Sequence, residues 1–94
     1  MKNLIKTQHF IERSWERGYH QSDINILINK METKSKKHFF LINKKVLSNL
    51  GIKKTKSKYL VIVTKDKVLI TLFEIDNLYH FLKQNQNISF TPIN

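Results

Sequence analysis

Tyr59-Leu60-Val61-Ile62-Val63-Thr64 and Lys67-Val68-Leu69-Ile70-Thr71-Leu72-Phe73 are two β-branched and aromatic runs separated only by Lys65-Asp66. Runs of this composition joined by so short a polar turn predict a β-hairpin. Neither run alternates cleanly between apolar and polar residues, as a strand with one wet face does, so both are expected in central positions with both faces at least partly covered. Helices are expected to cover one of those faces.

Good helix formers from Thr7 to Arg17, with Phe10, Ile11 and Trp15 assigned to the packing side, predict a first helix capped by Thr7 and ended by Gly18. A second begins at Ser22 or Asp23 and carries Ile24, Leu27, Ile28 and Met31 at the spacing of one buried stripe. His38-Phe39-Phe40-Leu41-Ile42 is short and aromatic, hence a strand, and Val46 to Ile52 reads as a helical turn closed by Gly51. Asp76 is the expected cap of a last helix, Asn77 to Gln84, bearing Leu78, Phe81 and Leu82. The polar stretch 85–94 is expected to be a loose tail, although Ile88-Ser89-Phe90 has the makings of a strand that pairs with a sheet edge. The fold class is therefore α+β, ordered ααβββα: two N-terminal helices packed on a small twisted antiparallel sheet, with a short C-terminal helix.

With 94 residues, two glycines, one proline and no linker or repeat, residues 1–94 make a single domain. A chain this short buries only about 60–65% of the surface its unfolded form exposes, so its core is thin. The absence of cysteine excludes a disulfide framework and a thiolate zinc site. The opening ten residues lack the apolar core of a secretory signal, and no run of about 18 apolar residues provides a membrane span, so a soluble, cytoplasmic protein is expected.

Seventeen Lys and Arg against seven Asp and Glu give a net charge of +10. Such a field calls for an acidic partner, and nucleic acid, an acidic protein or an anionic membrane surface each satisfies it. No helix pairs a basic face with a large exposed apolar one, which argues against the membrane. Ten of the lysines fall from residue 34 to residue 65, a stretch without a single acid. Low-GC coding bias enriches lysine on any solvated surface, but it does not remove glutamate and aspartate, so the missing acids point to a real positive face. Lys34, Lys36, Lys37, Lys53, Lys54, Lys56 and Lys58, with His38 opening a strand beside them, are the candidate RNA-binding residues. Phe39, Phe40 and Tyr59 could interleave aromatics for base stacking, but strand positions this apolar read first as core.

The two arginines of the chain, Arg13 and Arg17, are four residues apart, and His9 lies four before them. Spacing of i, i+4, i+8 places the three on one helix face, with a drift of about 40° per step. Imidazole moves protons near neutral pH, and guanidinium offers forked donors to phosphate oxygens without losing its own charge. These are ingredients for metal-free cleavage of RNA. Glu12 and Glu16 fall among the same positions, so the strip also reads as a solvated face of ion pairs, each contributing only ~0.2–1 kcal/mol.

From Thr7 to Glu74 the chain resembles the small H-x-x-x-R domains of the barnase–EndoU–colicin–RelE superfamily. The resemblance is carried by Thr7-Gln8-His9-Phe10-Ile11-Glu12-Arg13, by Arg17-Gly18, by Asp23-Ile24 opening the second helix, and by Leu69-Ile70-Thr71-Leu72-Phe73 closing the hairpin. It implies two N-terminal helices followed by a curved antiparallel sheet, and a metal-independent ribonuclease, often a toxin of mobile elements. On that likeness His9 is the general acid or base, Arg13 holds the scissile phosphate, Arg17 is a second cation, and the Thr71 hydroxyl contacts phosphate. Phe73 departs from the pattern where some relatives carry tyrosine. The implied reaction is attack of a ribose 2′-hydroxyl to leave a 2′,3′-cyclic phosphate in tRNA or mRNA. RNA and an acidic antitoxin or immunity protein are the expected partners, with no cofactor and no metal.

His20 and His80 are weaker candidates, and no two histidines have the spacing of a helical metal site. The competing function class is a non-catalytic basic protein, either a nucleic-acid-binding module or a phage or plasmid inhibitor of an acidic protein. The classes differ in whether His9 is needed.

Overall fold

The computed structural model describes residues 4–32, 34–52 and 56–94. The hairpin forms as its composition requires: β3 (Tyr59–Asp66) pairs antiparallel with β4 (Val68–Ile75). Asp66 makes the tight turn possible by adopting a left-handed φ of 54°, a conformation that aspartate tolerates better than most residues. Around the hairpin the chain builds a five-stranded sheet in the order β1-β4-β3-β2-β5, with β1 spanning Ile5–Lys6, β2 Lys34–Asn43 and β5 Ser89–Ile93.

The sheet is mixed, not antiparallel, because both outer strands run parallel to their neighbours. β2 and β3 form a long antiparallel pair; β1, ahead of all the helices, lies parallel to β4, and β5 joins β2 after the helix that follows β4 has carried the chain back. Residues 85–94 are thus not a loose tail. Phe90 pairs with Phe39, and Ile93 with Ile42, leaving Ile93 buried.

Two apolar layers explain why the central strands are apolar almost without interruption. Phe40, Ile42, Leu60, Ile62, Leu69 and Leu72 face a main core with Phe10 of α1 (Gln8–Glu16), Ile24, Leu27 and Ile28 of α2 (Gln21–Ile28) and Leu47 of α3 (Lys44–Asn49). The alternate residues Phe39, Leu41, Val61 and Val63 face a smaller layer closed by Phe73, Leu78 and Phe81, the last two on α4 (Leu78–Gln84). Phe39 and Phe40 are core, as their apolar strand predicts, and Phe73 packs its ring 5.8 Å from that of Phe81.

Local chemistry sets the helix ends. Thr7 caps α1 by accepting from the Phe10 N–H at 3.1 Å, and Gly18, at φ 79°, releases the chain from it. The second helix starts at Gln21, with Asp23 accepting from the His20 N–H, and Met31 lies beyond its end yet fully buried. Asn77, not Asp76, caps α4 through the His80 N–H; Asp76 instead accepts from the Lys58 N–H at 3.1 Å. Trp15 is not a core residue and is 62% exposed. Five residues separate it from Phe10, which rotates it about 140° from the buried stripe, and that stripe continues instead through Ser14. Among the described residues, no helix is long and apolar enough to cross a membrane.

Candidate functional site

The His9 strip is positioned by its helix cap. While accepting from Phe10, the Thr7 hydroxyl donates to the Leu69 carbonyl of β4 at 2.9 Å, which ties the start of α1 to the sheet edge. Two residues further along each element, His9 Nε2 and Thr71 Oγ1 meet at 3.3 Å. At the other end of the helix Arg17 Nη1 lies 3.7 Å from Glu74 Oε1. Eight helical residues from His9 to Arg17 rise about 12 Å, and three strand residues from Thr71 to Glu74 span about 10 Å. The helix and β4 therefore run side by side in one direction, with the His9-Arg13-Arg17 strip along the strand.

Two features of β4 leave room for this. β1 pairs with it only at Val68 and Leu69, so α1 takes over the edge beyond. A β-bulge follows: Val63 opposes Thr71 while Thr64 opposes Leu69, and Ile70 is the extra residue. The bulge breaks the alternation, so Leu69 and Leu72 both reach the main core although three residues apart, and Thr71 between them meets His9 at the edge.

Four predicted residues from distant parts of the sequence are thus gathered along one edge: His9, Arg13, Arg17 and Thr71. His9 is exposed, and the Arg13 guanidinium makes an ion pair with Glu16 at 3.3 Å. Sequence reasoning missed Glu74 and Tyr19. Glu74 pairs with Arg17 and accepts from the buried Tyr19 hydroxyl at 3.1 Å. Burial first, and then the Glu74 carboxylate, push the Tyr19 phenol well above its ordinary pKa, so it stays a donor. The available signal was a lone carboxylate inside an otherwise apolar strand.

The helix bearing the strip is braced from behind. Lys6 Nζ donates to Gln21 Oε1 at 2.8 Å and Asn25 Oδ1 at 2.9 Å, and Gln21 Nε2 donates to the Ser14 hydroxyl at 3.0 Å. These bonds join β1, α2 and α1, and burial holds the Lys6 ammonium below its ordinary pKa.

The candidate RNA-binding residues divide. Lys36, Lys37, Lys56 and Lys58 are exposed; Lys37 Nζ lies 5.5 Å from the centre of the Phe39 ring, and Lys34 is paired with Glu32 at 3.5 Å. Lys53 and Lys54 lie outside the described residues. His38 is not a surface residue: it is 6% exposed, its Nε2 2.7 Å from Thr91 Oγ1 and its ring 4.7 Å from that of Phe40. Strand alternation turns it to the same face as Phe40 and Ile42, which the sequence position beside Lys36 and Lys37 concealed. His20 precedes the second helix, and His80 is exposed on α4. Among the described residues, no three His, Cys, Asp or Glu side chains gather into a metal-binding group. No protein-family model matches this chain, and comparison with curated proteins and with solved structures finds no significant match.

Proposed function

We propose that the chain is a metal-independent endoribonuclease of the barnase–EndoU–colicin–RelE type, acting in the cytoplasm as a toxin on tRNA or mRNA. The observation that carries the reading is the approach of His9 Nε2 to Thr71 Oγ1 at 3.3 Å, between residues 62 apart in sequence, on a strip that also holds Arg13 and Arg17. A solvated helix face has no need of a strand hydroxyl aimed at its histidine.

In this reading a phosphodiester lies across the strip. A ribose 2′-oxygen loses its proton and attacks the adjacent phosphorus; the bond to the 5′-oxygen breaks, and that oxygen takes up a proton. His9 supplies one of the two proton transfers, as base in its neutral form or as acid when protonated. Arg13, paired with Glu16 on the surface of the helix, exchanges that carboxylate for phosphate oxygens, and with Arg17 it stabilises the pentacoordinate charge. A well-placed donor in such a site contributes ~3–4 kcal/mol. Thr71 orients the imidazole or the phosphate, and Glu74 fixes Arg17.

The test is a substitution series with RNA cleavage as the readout. His9→Ala and Arg13→Ala each abolish cleavage while thermal unfolding stays nearly unchanged, since both side chains project from the core. Full cleavage by His9→Ala refutes the assignment. A second reading, a basic nucleic-acid binder or an inhibitor of an acidic protein, is favoured by the carboxylates that already occupy Arg13 and Arg17. Such a protein binds its partner equally well with or without the His9 imidazole.

A further inference from the structure

The lysine-rich stretch, continuous in sequence, does not form one face. Antiparallel pairing of β2 with β3 sets Lys34 opposite Asp66 and Asn43 opposite Tyr59, so the stretch folds back on itself. Lys36 and Lys37 come to lie with Lys65 and Lys67 at the hairpin end of the sheet. Lys45 and Lys58 lie at the opposite end, where the Lys44 N–H donates to the Lys58 carbonyl at 2.9 Å. All six side chains are exposed.

From Lys36 to Asn43 the strand spans about 23 Å at ~3.3 Å per residue. The domain measures 31 × 30 × 23 Å, so the separation of the two groups is comparable with its width. Thr71 opposes Val63, and Val63 opposes Phe39, which puts the His9–Thr71 pair level with the middle of β2. Along the strand direction the candidate site therefore lies between two separated positive ends.

Resting on the ribonuclease reading of the His9 strip, we infer that the substrate is a folded RNA whose helical stem sets its phosphates on both lysine ends while adjoining unpaired nucleotides enter the strip. A duplex holds its phosphates at fixed spacing across 23 Å, whereas a single strand must be ordered to bridge two separate clusters, at a cost to affinity. Lysine ammonium groups contact phosphate as point charges without the forked geometry that reads a base, and A-form helices are recognised through shape and backbone. At the strip the RNA is unpaired, because a 2′-oxygen reaches the line of attack on phosphorus only where the backbone has left the helix.

Fluorescence anisotropy with the full-length His9→Ala chain tests this without consuming the RNA. The probes are a hairpin with a stem of about nine base pairs, ~25 Å at the ~2.8 Å rise of an A-form helix, and its loop sequence as a free single strand. The hairpin binds at least tenfold tighter. Lys36→Gln with Lys65→Gln, and Lys45→Gln with Lys58→Gln, each lower the slope of log affinity against log salt by about 1.8, at ~0.9 per phosphate contact. Equal affinity for the two probes, or a slope that moves at only one end, overturns the inference. Tighter binding to polyglutamate than to the hairpin overturns it in favour of an acidic protein. Cleavage by the wild type combined with stem-independent binding refutes this inference alone, whereas stem-dependent binding without cleavage upholds the RNA contact and removes the ribonuclease reading.

Discussion

The hydrogen bond between His38 and Thr91 joins the C-terminal strand to the sheet, and Thr91→Val removes it with almost no change of shape. His38 Nε2 and Thr91 Oγ1 are 2.7 Å apart, and His38 is 6% exposed, so no water readily replaces the lost hydroxyl. A buried polar group deprived of its partner costs about 1–3 kcal/mol. The new methyl returns less than ~0.8 kcal/mol, the value of a fully buried methylene, because Thr91 is only half-buried. The net loss is about 1–2 kcal/mol, and at about 4–8 °C per kcal/mol for a domain of this size Tm falls by about 5–15 °C. Urea unfolding at pH 7.5, followed by circular dichroism, measures it. Burial, and then the Lys34 ammonium, hold the His38 pKa below its ordinary value of 6.5. The unfolded chain therefore binds the proton first as pH falls below about 6.5, and the wild type loses stability through that window down to the folded pKa. His38→Gln removes that part of the pH dependence. A Thr91→Val protein within 0.3 kcal/mol of wild type, or a His38→Gln protein with the same stability difference between pH 7.5 and 5.5 as wild type, refutes the reasoning.

Glu74→Leu strips the buried Tyr19 hydroxyl of its acceptor and costs about 1–3 kcal/mol in urea unfolding, while Glu74→Gln, whose amide oxygen still accepts, costs less. Gly51 has a φ of 74° with nothing within 4 Å of an added Cβ, so Gly51→Ala loses only the left-handed backbone term, about 1–2 kcal/mol, with no clash. Trp15→Ala shifts stability by less than about 0.5 kcal/mol, and the fluorescence of this single tryptophan has the red-shifted maximum of a solvated indole.

What could be read from the sequence was local. Thr7 and Gly18 bracket the first helix, the hairpin turns at Asp66-Lys67, one residue later than its polar turn suggested since Lys65 still pairs with Val68, and Gly51 closes α3, because each depends on the φ or hydrogen bonds of a few neighbouring residues. Ile88-Ser89-Phe90 pointed to a strand at a sheet edge, but its parallel pairing with β2, about fifty residues earlier, was hidden, as was β1, which supplies two residues to β4. The same distance explains the errors at the surface. Spacing put His9, Arg13 and Arg17 on one strip and likeness added Thr71, and the fold brings His9 and Thr71 together. Spacing alone could not place Glu74 beside Arg17 or turn His38 inward, nor reveal that chain reversal between β2 and β3 divides the lysines between two ends. Trp15 shows the limit of treating size as burial: the stripe passes through Ser14, the small residue whose hydroxyl accepts from Gln21 of α2.

Incubation of the purified chain with total tRNA and a structured mRNA in EDTA, beside His9→Ala, with the product ends analysed, tests the central claim most directly. A metal-free site built on His9 predicts cleavage that survives EDTA, leaves 2′,3′-cyclic phosphates and disappears in the variant. Intact RNA in both lanes, or products with 3′-hydroxyl ends, contradicts it.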